Sequence, residues 1–222
     1  MKSSLKKLVL ILAIISSTAI YDRAKTYWLT NIVSGKLKPA IKRGRRVATT
    51  FQLMYRGNQY TMTNKHVCDM RDNIKTTTDI RNAIGLYIRV GLYNRKIINI
   101  DEKHDLCLLE GLPWQDSFSL ASSYDIGEPI YLVGYPRGLP ITIREGHIIA
   151  RFHDFFPWLV TKKRVPYIMV SAINYPGSSG SPVVNRYGNV VGVLFAGQID
   201  IHTDGYAVPL DSINDFLRRS IK

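Results

Sequence analysis

From residue 47 onward the chain is a succession of short β-type runs separated by turn residues, and this pattern constrains the fold more than any other feature. Residues 47–55 and 60–63 flank the turn Arg56-Gly57-Asn58-Gln59 and read as a hairpin. Further strand-like runs fall at 86–90, 96–100, 106–109, 129–133, 141–151, 167–172, 182–185 and 190–197, with Arg186-Tyr187-Gly188-Asn189 as another hairpin turn. Strands this short and this closely spaced predict an all-β sandwich or barrel. Helical periodicity is almost confined to the C-terminus, where Asp211 is placed to cap a helix with Ile213, Phe216, Leu217 and Ile221 on one face. With 222 residues and 45% hydrophobic content the chain can bury the core of one compact domain or two small ones, which excludes wholesale disorder.

The N-terminus is a separate object. Lys2, Lys6 and Lys7 precede an uncharged apolar run at 8–21, the pattern of a positive n-region and an h-region. As a helix rising ~1.5 Å per residue this run falls short of the roughly 30 Å hydrocarbon core, so a signal peptide fits better than a permanent span. Ser17 and Ala19 supply small residues for cleavage, whereas Tyr21 and Trp28 suit an uncleaved interfacial anchor. The expected organisation is thus a signal peptide or membrane anchor at 1–21, a basic linker at 22–46 and the folded domain at 47–222, exported or membrane-anchored outside the cytoplasm. Thirty Lys and Arg against seventeen Asp and Glu leave a net charge of +13. The linker cluster Lys42, Arg43, Arg45 and Arg46 would suit an anionic membrane surface or serve as a solvated tether.

Three separated segments carry the chemistry. In Asn174-Tyr175-Pro176-Gly177-Ser178-Ser179-Gly180-Ser181-Pro182, glycines let the backbone turn tightly so that amide N–H groups can converge beside the Ser179 hydroxyl. A serine hydroxyl is a weak nucleophile until a neighbouring base takes its proton. Thr61-Met62-Thr63-Asn64-Lys65-His66-Val67 brings a histidine to a strand end, and His104-Asp105-Leu106-Cys107-Leu108-Leu109 sets an acid at the head of an apolar strand, where a carboxylate can hold an imidazole in one tautomer. Taken singly, each has a plainer reading as a flexible loop, a structural histidine or a strand-end cap.

Together, and in the order His, Asp, Ser, these segments resemble the trypsin-like (chymotrypsin-fold) serine peptidases, most closely the HtrA-like and V8-like branch. Gly127-Glu128-Pro129, Gly146-His147-Ile148, Gly188-Asn189-Val190-Val191-Gly192 and Gly205-Tyr206-Ala207-Val208-Pro209 resemble other motifs of that branch, so the likeness runs over roughly residues 47–217. The resemblance implies two six-stranded antiparallel β-barrels with a C-terminal α-helix and a cleft between the barrels. It implies Ser179 as nucleophile, His66 as general base, Asp105 as the group orienting it, and the N–H groups of Gly177 and Ser179 as an oxyanion hole. No metal or organic cofactor is implied, the partner is a protein or peptide substrate, and no specific nucleic acid is expected. No PDZ-like segment is recognisable in the sequence.

Departures from the family pattern are informative. The acidic residue that captures a newly cut N-terminus in the digestive members is replaced by Ser178, and Tyr175 is inserted relative to the HtrA-like Asn-Pro-Gly spelling. Family positions for substrate binding fall on Ile173 at the pocket base, on the pairing strand Phe195, Ala196 and Gly197, and on Asp204 near a pocket wall. An apolar base favours cleavage after an uncharged aliphatic residue, because an unpaired charge is costly to bury, although Asp204 would admit Lys or Arg. Cys68 and Cys107 each follow a triad candidate by two residues; a bridge and two buried thiols are both open, with free thiols the simpler expectation. The aromatic stretch at 152–164 reads equally as an interfacial flap or as a strand with core-facing rings. Two rival classes are a catalytically silent binding module and a basic protein that binds membranes or nucleic acid without a reading motif.

Overall fold

A computed structural model of the chain describes residues 35–42, 45–69, 87–113, 115–154, 164–197 and 203–221. The expected leader and most of the basic linker, residues 1–34 and 43–44, lie outside the described residues, as does the aromatic segment from 155 to 163. Among the described residues no helix is long and apolar enough to cross a membrane.

Twelve strands form two closed six-stranded barrels, as the resemblance implied. The first contains β1 (Leu37–Lys42), β2 (Arg45–Tyr55), β3 (Asn58–Asn64), β4 (Tyr87–Val90), β5 (Tyr93–Asp101) and β6 (Leu106–Glu110), in the order β1-β2-β3-β6-β5-β4. Ala40 pairs with Val90 and closes the ring. The second contains β7 (Pro129–Gly134), β8 (Thr142–Asp154), β9 (Val165–Val170), β10 (Pro182–Asn185), β11 (Val190–Gly197) and β12 (Gly205–Pro209), closed by Val183 against Leu132. A single helical turn, α1 (Lys65–Cys68), follows β3, and the helix α2 (Leu210–Ser220) follows β12.

Alternation of side chains across each pleat builds the cores. On β4, Ile88 and Val90 turn inward while Tyr87 and Arg89 face out. They join Ile97, Cys107, Leu109 and Leu112 in the first barrel. Ile130, Leu132, Ile148, Ile168, Val170, Val183, Val191 and Ala207 fill the second.

Four sequence readings need correction. Residues 37–42, read as linker, are β1, with Leu37 fully buried, so the barrel begins before Val47; Lys and Pro in that run concealed a strand in which Leu37, Pro39 and Ala40 are buried. Asp211 is not the helix cap: Pro209 holds that position and Asp211 sits in the first turn, where an acid still favours the helix dipole, while Ile221 lies past the helix end. Cys68 and Cys107 are joined in a disulfide with Cα atoms 6.6 Å apart, not left as thiols, because α1 packs directly on β6. Phe152 extends β8 and stacks on Tyr167 at 5.2 Å, but it is half-exposed and does not face the core.

The helix α2 returns to the first barrel through polar contacts. Arg219 donates to Asp101 at 2.8 Å and Asn99 donates to the Ser220 hydroxyl at 2.9 Å. The buried Asp101 carboxylate also accepts the His104 ring at 2.9 Å and the backbone N–H groups of Lys103 and His104 at 2.9 and 3.1 Å. Burial alone would raise its pKa, but the hydrogen bonds and charge of His104 and the Arg219 guanidinium overcome this and hold it at about 2, below the usual 3.8. A carboxylate depressed in this way stabilises the fold fully above its unfolded pKa and loses that contribution as pH falls through its folded one.

Two outcomes follow. Acid titration monitored by near-ultraviolet circular dichroism should show a contribution of roughly 2 kcal/mol lost between about pH 4 and pH 2, and absent in Asp101→Asn; identical acid profiles for the two proteins would contradict the assignment. Closing a loop whose ends are 39 residues apart should make Cys68→Ser/Cys107→Ser less stable to urea by about 4 kcal/mol on the chain-entropy estimate, and an unchanged midpoint would show that the bridge stabilises nothing.

Candidate active site

The end of β3 and the start of β6 run side by side, with Asn64 opposite Leu106 and Thr63 opposite Cys107. That register sets His66, two residues past Asn64, against Asp105, the residue just before β6. Asp105 takes a left-handed backbone (φ +56) and its side chain is buried. A buried carboxylate must be hydrogen-bonded, and here both its oxygens serve one residue. Oδ1 accepts the His66 backbone N–H at 2.9 Å, and Oδ2 lies 2.7 Å from His66 Nδ1. Its carbonyl accepts Lys65 N–H at 3.0 Å and Asn64 Nδ2 at 3.1 Å. Asp105 thus fixes both the backbone and the ring of His66 and assigns the proton to Nδ1, leaving Nε2 as the free acceptor. The His66 side chain is 39% exposed against 6% for Asp105, the arrangement of a ring open to a ligand above a sequestered acid. The Cys68–Cys107 bridge fastens the same two segments two residues beyond each member of the pair.

The serine loop reaches this pair through β2. Thr49, fully buried, donates its backbone N–H to the Ser179 carbonyl at 2.9 Å and its hydroxyl to the Gly177 carbonyl at 3.1 Å. Its own carbonyl accepts the Thr63 hydroxyl at 2.8 Å, and Thr63 stands three residues ahead of His66 on β3. Gly180 completes the seam: at φ +81, a Cβ there would lie 2.2 Å from the Thr49 carbonyl and 2.3 Å from the Thr63 hydroxyl, so only glycine fits. On the other side Gly180 N–H donates to the Leu194 carbonyl at 2.9 Å, tying the loop to β11.

Inside the loop, buried Ser178 accepts Tyr175 N–H on its hydroxyl at 3.2 Å and donates its own N–H to the Tyr175 carbonyl at 2.9 Å. The inserted Tyr175 is therefore accommodated by a turn that Ser178 closes with neutral groups. The Pro176 carbonyl accepts Arg137 N–H at 2.6 Å. Because a trans peptide points its C=O and N–H in opposite directions, the Gly177 N–H faces away from Arg137. Among the described residues neither that N–H nor the N–H of Ser179 has a protein acceptor.

The residues expected to meet substrate are divided. Ile173 is 45% exposed, so it is not a buried pocket base. The buried residue there is Asn174, part of the serine-loop motif but assigned no role from the sequence. Its Nδ2 donates to the carbonyls of Ala172 and Asp204, each at 3.0 Å, and its Oδ1 packs where a Cβ on Gly197 would stand. Gly197 and Ala196 are half-buried and pair with Gly205 and Tyr206 of β12, while Phe195 is buried.

Comparison with known proteins agrees with this architecture. The family model described as a trypsin-like peptidase domain matches residues 49–193. A putative serine protease HhoA from Synechocystis is 28% identical over 68% of this chain and 37% of its own length. A probable periplasmic serine endoprotease, DegP-like, from Hahella chejuensis is 28% identical over 72% of this chain and 33% of its own. The chain thus spans about a third of the length of these curated relatives. The serine endoprotease structure from Yersinia pestis superposes with a TM-score of 0.64 at 17% identity, covering 89% of this chain and 66% of that one. Matched over well more than half its length by that family model, the chain belongs to the trypsin-like peptidase domain family.

Proposed function

We propose that the chain is a serine endopeptidase that cleaves protein or peptide substrates through an acyl-enzyme at Ser179. The observation that carries this reading is the doubly bonded His66–Asp105 pair, with Nδ1 held at 2.7 Å by a buried carboxylate, together with a serine loop bonded to Thr49 of the same barrel. In the reaction His66 Nε2 takes the Ser179 proton as Oγ attacks the scissile carbonyl, and later returns it to the leaving amine. Asp105 orients the ring and stabilises the imidazolium that forms. The N–H groups of Gly177 and Ser179 receive the oxyanion.

Cleavage after an uncharged aliphatic residue is supported by the apolar residue type at the Ile173 family position alone, since its side chain is 45% exposed. The apolar run at 8–21 behind three lysines, together with relatives described as periplasmic, supports export. Whether residues 1–21 are removed or retained as an anchor, the basic residues at 22–46 suit an anionic lipid surface.

Intact-mass analysis after exposure to a fluorophosphonate tests the reading. A single adduct on the wild-type chain that is lost in Ser179→Ala is the expected result, and a folded wild type that takes no adduct would overturn it in favour of a silent binding module. Asp105→Asn should keep the fold but slow labelling by up to about 10⁴-fold, the scale seen when the orienting acid of a chymotrypsin-type triad is neutralised.

A further inference from the structure

Resting on the peptidase reading, we propose that Arg137, together with Tyr175, is a positioning device that holds the oxyanion hole open from within this chain. The need for such a device follows from the loop itself. Gly177 sits at φ +96, and glycine tolerates either sign of φ, so the peptide between Pro176 and Gly177 is free to turn over. One orientation presents the Gly177 N–H to a developing oxyanion and the other presents the Pro176 carbonyl, whose partial negative charge repels it.

The turn between β7 and β8 makes the choice. Arg137 N–H donates to the Pro176 carbonyl at 2.6 Å, shorter than the 2.7–3.3 Å of the other described loop and turn backbone bonds, and so holds that carbonyl outward. Tyr135 fixes the turn from behind, its N–H donating to the Thr49 hydroxyl at 3.0 Å and its own hydroxyl to the Leu37 carbonyl at 3.3 Å. A Cβ on Gly177 would lie 2.6 Å from the Tyr135 carbonyl, so loop and turn are in direct backbone contact.

Arg137 itself takes a left-handed backbone, φ +53, which L-residues other than Asn and Asp adopt only under constraint. Its side chain is held in place: the guanidinium lies 4.0 Å from the centre of the Tyr175 ring. Tyr175 is the residue by which this loop exceeds the HtrA-like spelling, and it directly precedes the peptide being held. Insertion and arginine thus form one clamp across the two ends of that peptide. Since Ser178 carries no charge to receive a cut N-terminus, the clamp supplies the ordering that a zymogen would obtain by cleavage.

The test compares second-order fluorophosphonate labelling of wild type, Arg137→Ala, Arg137→Gly, Arg137→Lys, Tyr175→Ala and Tyr175→Phe. The kcat and KM of each for a p-nitrophenyl ester and its thermal midpoint are measured alongside. Labelling and kcat should fall about 10-fold or more in Arg137→Ala and Tyr175→Ala, within the 10²- to 10³-fold that loss of one oxyanion donor costs, with KM little changed. Arg137→Gly should fall likewise, since it relieves the left-handed strain and loses only the side chain. Arg137→Lys and Tyr175→Phe, which keep a cation and a ring face, should restore most of the rate. Wild-type rates in Arg137→Ala and Tyr175→Ala, or losses that track the thermal midpoint and are not restored by the conservative pair, would overturn the clamp. A wild type that fails to label sinks the peptidase reading instead, a result the variants cannot mimic.

Discussion

Two barrels that each close on themselves have no sheet edge left with which to grip one another, so their union has to be made by loops and buried single residues. Thr49 carries three of the described bonds across it, to Ser179, Gly177 and Tyr135. Lodged in β2 with no exposure, it engages Ser179, Gly177, Tyr135 and Thr63 through both its backbone and its hydroxyl. Buried polar groups are costly unless paired, and at this point the first barrel can satisfy itself only by accepting the loop of the second. The relative placement of serine and histidine is therefore a by-product of hydrogen-bond satisfaction in the interior, which is why Gly180 has no room for a side chain.

The parts of this molecule legible in the sequence are those encoded locally. Strand alternation and the turns around Gly57 and Gly188 need only neighbouring residues to be recognised. His66, Asp105 and Ser179 stand out because their flanking motifs are short and ordered along the chain. What stayed hidden depends on distant partners. Nothing around Thr49 distinguishes it from Thr50, and its role exists only once β2 and the serine loop meet. β1 was masked by Lys38, Pro39 and Lys42, residues that strands tolerate at an edge-like, bulged position such as the irregularity between Ala40 and Ile41. The disulfide needed a Cα separation that spacing does not provide. Asn174 looked like a member of a Gly/Ser loop, and its significance lies in two carbonyls, one of them thirty residues away.

The second histidine–aspartate pair, His104 with Asp101, stands immediately before Asp105 in sequence yet serves a different purpose. Its carboxylate is saturated by two backbone amides, an imidazole and a guanidinium, whereas Asp105 spends both oxygens on His66 alone. His104 is 8% exposed and the His66 side chain is 39% exposed. Accessibility separates a pair suited to chemistry from one suited to holding a turn, although the residue types are identical.

The return of α2 to the first barrel has a consequence for the order of events during biosynthesis. Asp101 lies in the first barrel, but one of its partners, Arg219, is made after every strand of the second. The turn from 102 to 105, which delivers Asp105 to His66, thus waits for its full set of bonds until nearly all the chain is available. The last ion pair of the turn that abuts His66 and Asp105 therefore forms only when the C-terminal helix docks.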